Sequence, residues 1–271
     1  MPLLRRLRHA VAKTPVRNPL VWVRHQSLKA SDVFFASYPR SGSTWLRFLL
    51  FDCLVGEPSG FKNVNHAIPD VKLHKDGLPL MPGGGRLIKT HEVYHPEYHR
   101  AVYLVRDPRD VALSEYAYQT ALGLVNDNLD EYLRKFVAQG VNPFASWRDH
   151  VESWLSAPLG SEQLLIVRFE DLRADSFATL VRIVEFLGLT PDETRIRAAI
   201  ANNTVEKMRA KEKETPQRAS ARGKFIRSGS AGGWRNTLSA AQAELFRQHA
   251  ADAIERLGYA GEAEPAEIVH A

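Results

Sequence analysis

The feature that most constrains this chain is an apolar run that passes directly into a loop rich in serine and glycine, at residues 34–45 (FFASYPRSGSTW). The apolar residues predict a buried strand, and the residues from Trp45 onward predict a helix. A loop at a helix N-terminus offers several backbone N–H groups that have no intrahelical partner, and such groups bind anions. The stretch therefore predicts a strand–loop–helix unit with an anion site.

The loop differs from the Walker A motif of nucleoside triphosphate-binding proteins in the position of its cation. With Gly42 as the second glycine, that motif requires glycine at position 37 and lysine at position 43. The chain has Ser37 and Ser43 there, and its cation lies upstream at Arg40. The loop is therefore a phosphate-binding candidate without the lysine that a P-loop kinase needs.

Strands and helices alternate along the rest of the chain. The patterns predict strands at residues 32–38, 86–91, 101–106 and 164–169, and helices at residues 45–55, 108–120, 175–187, 192–202 and 239–257. Between them, residues 56–85 are rich in glycine and proline and predict a long surface excursion. The alternation predicts an α/β fold with a mostly parallel central sheet and helices on both faces.

Polar side chains fall where several of these strands end. Arg40, Lys89, His91 and Arg106 all lie at or next to the carboxyl end of a predicted strand. Parallel sheets bind their ligands at that edge. The four residues are therefore candidates for one site.

Three segments resemble the PAPS-dependent sulfotransferases, enzymes whose donor is 3′-phosphoadenosine 5′-phosphosulfate (PAPS). Residues 38–45 resemble the family loop Tyr-Pro-Lys-Ser-Gly-Thr-Thr-Trp, and residues 106–114 (RDPRDVALS) resemble its 3′-phosphate segment. Residues 225–236 (FIRSGSAGGWRN) are similar to its Arg-Lys-Gly loop, and the three follow one another in the family's order over nearly 200 residues. The resemblance implies a P-loop-like three-layer fold and a sulfotransferase domain.

A fourth segment, Lys89-Thr90-His91, is similar to the Lys-Thr-His at the end of the family's second core strand. The resemblance implies transfer of the sulfonate from PAPS to an acceptor hydroxyl by in-line displacement. His91 is the predicted general base, because histidine titrates near neutrality. Lys89 would neutralise the transferring sulfonate. Arg40 would stabilise the leaving oxygen without giving it a proton. No metal is predicted.

The resemblance also implies which residues hold the nucleotide PAPS and its product PAP. Arg106 and Ser114 would bind the 3′-phosphate, which suits a forked guanidinium and a hydroxyl. Ser228 stands where the family has a lysine, and Val205 stands where it has a base-stacking phenylalanine. The predicted cofactor-binding residues are Arg40, Ser41, Gly42, Ser43, Thr44, Trp45, Arg106, Ser114, Phe169, Asn203, Arg227, Ser228 and Gly229.

The net charge of +5 is placed unevenly along the chain. Residues 1–31 carry seven Lys/Arg and no acid, so the remainder holds 29 basic and 31 acidic side chains. The basic character therefore belongs to the N-terminal arm, which argues against a nucleic-acid-binding body. The predicted organisation is a basic arm at residues 1–31, a sulfotransferase domain at residues 32–260 and a C-terminal tail at residues 261–271.

The basic arm and the single cysteine indicate where in the cell the protein is expected. An apolar stripe beside the arginines (Leu3, Leu4, Leu7 and Val11) is compatible with an anionic membrane surface, and equally with a solvated arm. The lone Cys53 suits a reducing compartment and a core position. The chain is predicted to be cytoplasmic, with peripheral membrane contact left open.

The expected partner is a small organic, glycan or lipid-like hydroxyl acceptor, whose identity would be set by the loops at residues 56–85 and 119–146. The oligomeric state is left open. Two other functions also remain open: a catalytically degenerate PAP-binding module and a P-loop kinase. The first would bind nucleotide without turnover, and the second would require Mg²⁺ and ATP.

Overall fold

The computed structural model of the protein describes residues 17–215 and 229–260. In it, four short strands form a parallel sheet in the order β2–β1–β3–β4. The strands are β1 Val33–Ser37, β2 Leu87–Thr90, β3 Ala101–Val105 and β4 Leu164–Arg168. Each corresponds to a strand predicted from the sequence. All four carboxyl ends meet at one edge of the sheet, because every pair of neighbours is parallel.

The central strands are buried on both faces, which explains their continuous apolar runs. Successive side chains of a strand point to opposite faces. Phe34 accordingly packs in one hydrophobic cluster with Ile88 and Tyr103, while Phe35 packs in a second cluster with Leu104. The sheet is therefore a layer between two apolar layers built from helices, which confirms the predicted fold class.

Eleven α-helices are assigned among the described residues, and they surround this sheet. They are α1 Arg17–Arg24, α2 Ser43–Val55, α3 Phe61–Ala67, α4 Pro108–Ala121, α5 Leu129–Gln139, α6 Trp147–Leu155, α7 Phe169–Ala174, α8 Ser176–Phe186, α9 Glu193–Asn202, α10 Val205–Lys213 and α11 Ala240–Arg256. The helix predicted at residues 108–120 is capped as expected, since the Asp107 side chain accepts a hydrogen bond from the N–H of Arg109.

Two regions predicted as loops contain helices. The prediction of a surface excursion at residues 56–85 was wrong in part, because α3 buries Phe61 and Val64, and a 3-10 segment, Val71–Asp76, follows it. The region 119–146 contains α5, whose apolar side chains lie against the core. The helix α3 was not predicted because the region is rich in glycine and proline. It has seven residues, and tertiary packing stabilises it.

Parts of the predicted organisation lie outside the described residues. These are residues 1–16 of the basic arm, including its apolar stripe, and the tail at residues 261–271, together with the predicted ligands Arg227 and Ser228. The described part of the arm contacts the domain, because the buried His25 ring shares a hydrogen bond with the Tyr98 hydroxyl at 2.6 Å. Within the described residues, no helix is long and apolar enough to cross a membrane.

A buried ion pair joins the amino ends of the neighbouring strands β1 and β2. The Arg86 guanidinium donates from Nε and Nη2 to the Asp32 carboxylate at 3.0 and 2.6 Å. It also donates to the backbone carbonyls of Ser27 and His74 at 2.9 and 3.0 Å. Asp32 and Arg86 precede the paired strands β1 and β2, so one guanidinium joins both strand starts to the surface segments beside them.

Replacing Arg86 with methionine should strongly destabilise the fold. The substitution leaves the Asp32 carboxylate buried without its cation, which costs on the order of 3–5 kcal/mol in the free energy of unfolding. The matched control is Arg247→Met, which removes an exposed ion pair with Glu244 and should cost less than about 1 kcal/mol. Urea titration of both variants measures the difference. Equal, small losses would show that the buried pair does not hold the strand starts together.

Candidate active site

A cavity of about 810 Å³ opens at the carboxyl edge of the sheet. Side chains from all the strand ends converge on it: Arg40 after β1, Lys89 and His91 at the end of β2, Arg106 after β3 and Phe169 after β4. This convergence was predicted from the strand-end positions of the polar residues. The predicted site residues that line the cavity are Arg40, Gly42, Ser43, Thr44, Trp45, Lys89, His91, Arg106, Ser114, Phe169 and Gly229.

The loop between β1 and α2 turns through two left-handed residues. Arg40 has φ 69° and Gly42 has φ 95°. Gly42 also lies against the ring of Phe169, since a Cβ at position 42 would be 2.5 Å from Cδ2 of that ring. Glycine is therefore required here both for its backbone conformation and for its lack of a side chain.

The start of α2 has features of an anion site. Gly42 is the N-cap and provides no side-chain cap, and the first helical residues, Ser43 and Thr44, line the cavity. Ser41 is fully buried, and its hydroxyl oxygen has no hydrogen-bond partner among the described residues. A buried hydroxyl without a partner beside a helix N-terminus fits a phosphate or sulfonate oxygen.

Arg40 reaches from this loop towards helix α4. Its Nε donates to the Ser114 hydroxyl at 3.1 Å, and its guanidinium lies 4.7 Å from the centre of the Tyr118 ring. The buried Glu115 carboxylate lies close enough to interact electrostatically with Arg40. Burial raises the pKa of Glu115, and Arg40 counteracts this shift. The guanidinium is thus held in place by α4.

Arg106 joins the loop to the C-terminal part of the chain. Its Nη1 donates to the backbone carbonyl of Arg40 at 3.2 Å, and its Nη2 donates to that of Ser230 at 2.8 Å. The guanidinium lies 4.5 Å from the centre of the Phe169 ring. Arg106 is also 3.5 Å from the Asp110 carboxylate. It makes this contact while still lining the cavity.

Asp110 fixes the segment that closes this end of the cavity. Its carboxylate accepts from the backbone N–H groups of Gly232 and Trp234 at 2.7 and 3.0 Å. The segment that these bonds fix begins with Gly229 and Ser230, both of which line the cavity. The sequence assigned no such role to Asp110.

An aromatic and cationic wall lies beside the loop. The Trp45 ring stands 6.0 Å from the Phe169 ring at an angle of 70°, and the Arg173 guanidinium lies 5.2 Å from the Trp45 ring. The Trp45 indole N–H donates to the backbone carbonyl of Asn203 at 2.8 Å. Val205 lines the same side, so this half of the cavity offers flat apolar surface next to cations.

Among the predicted ligands that the structure describes, Ser41 and Asn203 do not line the cavity. Ser41 is fully buried in the loop. Asn203 is also buried, and its side-chain amide donates to the Asp52 carboxylate and to the carbonyl of Ala199. The structure therefore gives the Asn203 side chain a role inside the fold, and its backbone orients Trp45.

His91 is held in one tautomer. Its Nδ1 lies 2.6 Å from the backbone carbonyl of Ser37, and because a carbonyl oxygen can only accept, Nδ1 carries the proton. The lone pair of the neutral ring is then on Nε2. Burial lowers the pKa of His91 well below its ordinary value, and the nearby Lys89 ammonium lowers it further. His91 is thus a neutral ring with a basic nitrogen at physiological pH.

A second histidine supports the backbone of the first. His150 Nε2 donates to the carbonyl of His91 at 3.1 Å, and its Nδ1 accepts from the Tyr103 hydroxyl at 2.9 Å. His150 is fully buried with Trp154 on α6. It is a core residue that fixes the end of β2.

Lys89 has a carboxylate partner that the sequence did not indicate. Its ammonium lies 3.1 Å from the Asp70 carboxylate. Burial lowers the pKa of Lys89 to about 8, although Asp70 acts to raise it. Burial would raise the pKa of Asp70, but Lys89 and Lys72 together lower it to about 2.

Sequence reasoning missed Asp70 and Arg173 for different reasons. Asp70 lies in the misread region 56–85, and nothing in its neighbourhood marks it as the partner of a lysine 19 residues later. Arg173 lies four residues after Phe169 on α7, so a helix predicted there would have placed both on one face.

The comparisons with known proteins agree with this geometry. The profile of the sulfotransferase domain family matches residues 30–258. Human sulfotransferase 2B1 is 29% identical over 249 residues, which cover 82% of this chain and 65% of that protein. The chain therefore spans slightly less than two thirds of the length of that relative.

Two solved structures share the fold. Mouse sulfotransferase SULT7A1 complexed with PAP superposes with a TM-score of 0.69 at 22% identity, covering 90% of this chain and 93% of that one. Retinol dehydratase in a complex with retinol and PAP also gives 0.69, at 21% identity, covering 88% of this chain and 86% of the other. Together with the profile, these results confirm the family and the fold class predicted from the sequence.

Replacing Gly42 with alanine should damage the loop selectively. The methyl group would meet the Phe169 ring at 2.5 Å, so PAP, the ligand predicted from the sequence, should bind at least about tenfold more weakly. Gly84→Ala is the matched control, because Gly84 also has positive φ and a Cβ there meets nothing within 4 Å. Calorimetric titration compares the two. Equal PAP affinities would show that the loop does not contact the nucleotide.

Proposed function

The chain belongs to the sulfotransferase domain family, and we propose that it transfers the sulfonate of PAPS to a hydroxyl group of a small acceptor, with His91 as the general base. The observation that carries this proposal is the hydrogen bond from His91 Nδ1 to the Ser37 carbonyl. It fixes the basic Nε2 in a ring that lines the same cavity as the anion-binding loop.

The loop and the aromatic wall form the donor end of the site. PAPS supplies the sulfonate and carries adenine, a 5′-phosphate and a 3′-phosphate that need to be held. The start of α2 suits the 5′ group, Arg106 and Ser114 suit the 3′-phosphate, and the ring of Trp45 suits the base. That two structures of the same fold were solved with PAP supports this nucleotide class.

His91 has the properties that a base for a hydroxyl requires. Because its pKa is lowered by burial and by Lys89, the ring is neutral and ready to accept a proton near pH 7. Its orientation is fixed from two sides, by the Ser37 carbonyl acting on the ring and by His150 acting on the backbone. The proton of the acceptor hydroxyl would pass to Nε2 as the oxygen attacks sulfur.

Lys89 and Arg40 place positive charge where negative charge develops. Lys89 would face the sulfonate oxygens, and the Asp70 carboxylate holds its ammonium at the cavity wall. Arg40 would face the oxygen that leaves with PAP, and it remains charged at every working pH. The leaving phosphate is stable as an anion and requires no proton.

The acceptor end of the cavity is mostly apolar with a few polar groups. Leu113, Tyr118, Leu124 and Phe144 line it, and the Phe144 ring lies 5.6 Å from that of His91. This wall suits an acceptor with an apolar body and one hydroxyl. Retinol dehydratase, solved in a complex with the apolar alcohol retinol, supports the same class of acceptor.

Loss of the Arg106 fork should weaken nucleotide binding without unfolding the chain. We expect Arg106→Ala to lower PAP affinity by about tenfold to a hundredfold, since charged hydrogen bonds to a phosphate are removed. Arg106→Lys keeps the charge and loses the fork, so its PAP affinity should lie between that of the wild type and that of Arg106→Ala. Arg197→Ala is the control, because that arginine is exposed on α9. Calorimetry with PAP measures all four proteins.

Binding titrations with PAP and with ATP, together with an assay of sulfonate transfer from PAPS, distinguish the three candidate functions. PAP binding with sulfonate transfer from PAPS and no dependence on Mg²⁺ supports the proposal. Mg²⁺-dependent ATP binding that exceeds PAP binding would overturn it in favour of a kinase. Tight PAP binding with no turnover on any hydroxyl acceptor would instead indicate the degenerate binding module.

The dependence of kcat/KM on pH should show the titration of both His91 and Lys89. In kcat/KM, the acid limb should lie well below pH 6.5, because the neutral form of His91 predominates above its lowered pKa. The alkaline limb should fall near pH 8, where the free enzyme loses the Lys89 charge. Lys89→Arg should move the alkaline limb upward, because arginine stays charged.

His91→Ala provides the complementary test. We expect kcat to fall by about 10²–10⁴-fold while PAP affinity stays within about threefold of wild type, since the base contacts the acceptor rather than the nucleotide. An unchanged kcat would exclude His91 as the base. An alkaline limb that stays in place in Lys89→Arg would show that another group titrates there.

A further inference from the structure

The exposed apolar side chains of the described residues are concentrated in one region. Large hydrophobic residues that are exposed there are Trp22 at 65%, Val23 at 56%, Leu73 at 64% and Val93 at 37%. Single exposed apolar residues are common on protein surfaces, but a group of them marks an interaction site. We call these four residues the apolar patch.

The segments that carry the apolar patch are in contact with one another. Trp22 and Val23 are on α1, and the backbone carbonyl of Gln26, just after that helix, accepts from His74 Nε2 at 3.0 Å on the segment that carries Leu73. Arg24 on α1 lies 3.8 Å from the carboxylate of Glu92, the residue before Val93. His25, directly after α1, is buried against the domain, whereas Trp22 and Val23 in the last turn of α1 are exposed.

The surroundings of the patch are basic. Arg24 pairs with Glu92, and Lys89 pairs with Asp70, so these four charges cancel. Of the other charged residues in the segments 21–31 and 71–77 and beside Trp22, Lys29, Lys72 and Lys75 outnumber Asp76 and Glu97. An apolar patch bordered by excess positive charge complements an anionic lipid surface, because the apolar side chains enter the headgroup boundary and the cations remain among the headgroups.

We infer that the apolar patch is a docking surface for an anionic lipid bilayer, on which the protein lies peripherally. Trp22 is suited to this position, since tryptophan favours the boundary between lipid and water. Leu73 and Lys72 also line the active-site cavity. Docking through this patch would therefore bring the mouth of the cavity to the bilayer, where an apolar acceptor would reside. That last consequence rests on the proposed function, and the docking itself does not.

Vesicle sedimentation of the full-length protein tests the docking. We expect binding to vesicles of phosphatidylcholine and phosphatidylserine, weaker binding to phosphatidylcholine alone, and weakening by salt. The variant Trp22→Ser/Val23→Ser should partition at least about tenfold less, because two apolar anchors are lost. The matched control Trp22→Phe/Val23→Leu keeps apolar side chains and should stay within about threefold of wild type. Thermal unfolding checks that each variant is folded.

Other results would overturn the inference. Wild-type protein that stays in the supernatant with both vesicles would exclude a lipid partner. Serine variants that bind as tightly as wild type would show that another part of the chain makes the contact. A dimer in analytical ultracentrifugation that the serine pair abolishes, with no vesicle binding, would assign the patch to a second copy of the chain.

Leu73→Ser tests separately whether the cavity mouth faces the lipid. A loss of vesicle partitioning comparable to that of Trp22→Ser/Val23→Ser supports this orientation, and wild-type partitioning overturns it. PAP affinity, measured in the absence of vesicles, reports on the proposed function independently. Failure of PAP binding with intact vesicle binding would refute the donor site and leave the docking surface standing.

Discussion

The active site depends on one backbone turn, the left-handed passage from β1 into α2. Arg40 and Gly42 both adopt positive φ, which directs the start of α2 to the edge of the sheet. A non-glycine residue in this conformation is unfavourable and needs support from its surroundings. Arg106 supplies that support by donating to the carbonyl of Arg40, and the ring of Phe169 packs against Gly42. Residues that directly follow β3 and β4 thus stabilise the loop that follows β1.

The cations of the cavity are held by neutral oxygens, aromatic rings and carboxylates. Arg40 donates to a hydroxyl, and Arg106 donates to two carbonyls. Each cation also has a carboxylate nearby: Glu115 beside Arg40, Asp110 beside Arg106 and Asp70 beside Lys89. These partners fix the positions of the cations within the fold, as electrostatic preorganisation requires.

The sequence predicted the parts of the site that arise from local patterns. The four strands and the positions of Arg40, Lys89, His91 and Arg106 at their ends follow from apolar runs and from the geometry of a parallel sheet. It could not predict contacts between distant segments, such as Asp70 with Lys89. It also misread residues 61–67, because a short helix stabilised by tertiary packing leaves little periodic signal. The roles assigned to Arg227 and Ser228 stay predictions, since those residues lie outside the described ranges.

The same ion pair that orders the strands also connects the surface patch to the site. Arg86 binds Asp32, which precedes β1. It also donates to the carbonyl of Ser27, which lies shortly after α1, and to that of His74, the residue after Leu73. The segments bearing the apolar patch are therefore anchored to the starts of β1 and β2, whose opposite ends carry the anion loop and His91. Because these strands are short and buried, a bilayer contact at the patch would have a fixed geometry relative to the cavity. The buried guanidinium thus fixes the position of the segment that carries Leu73 relative to the strand that ends at His91.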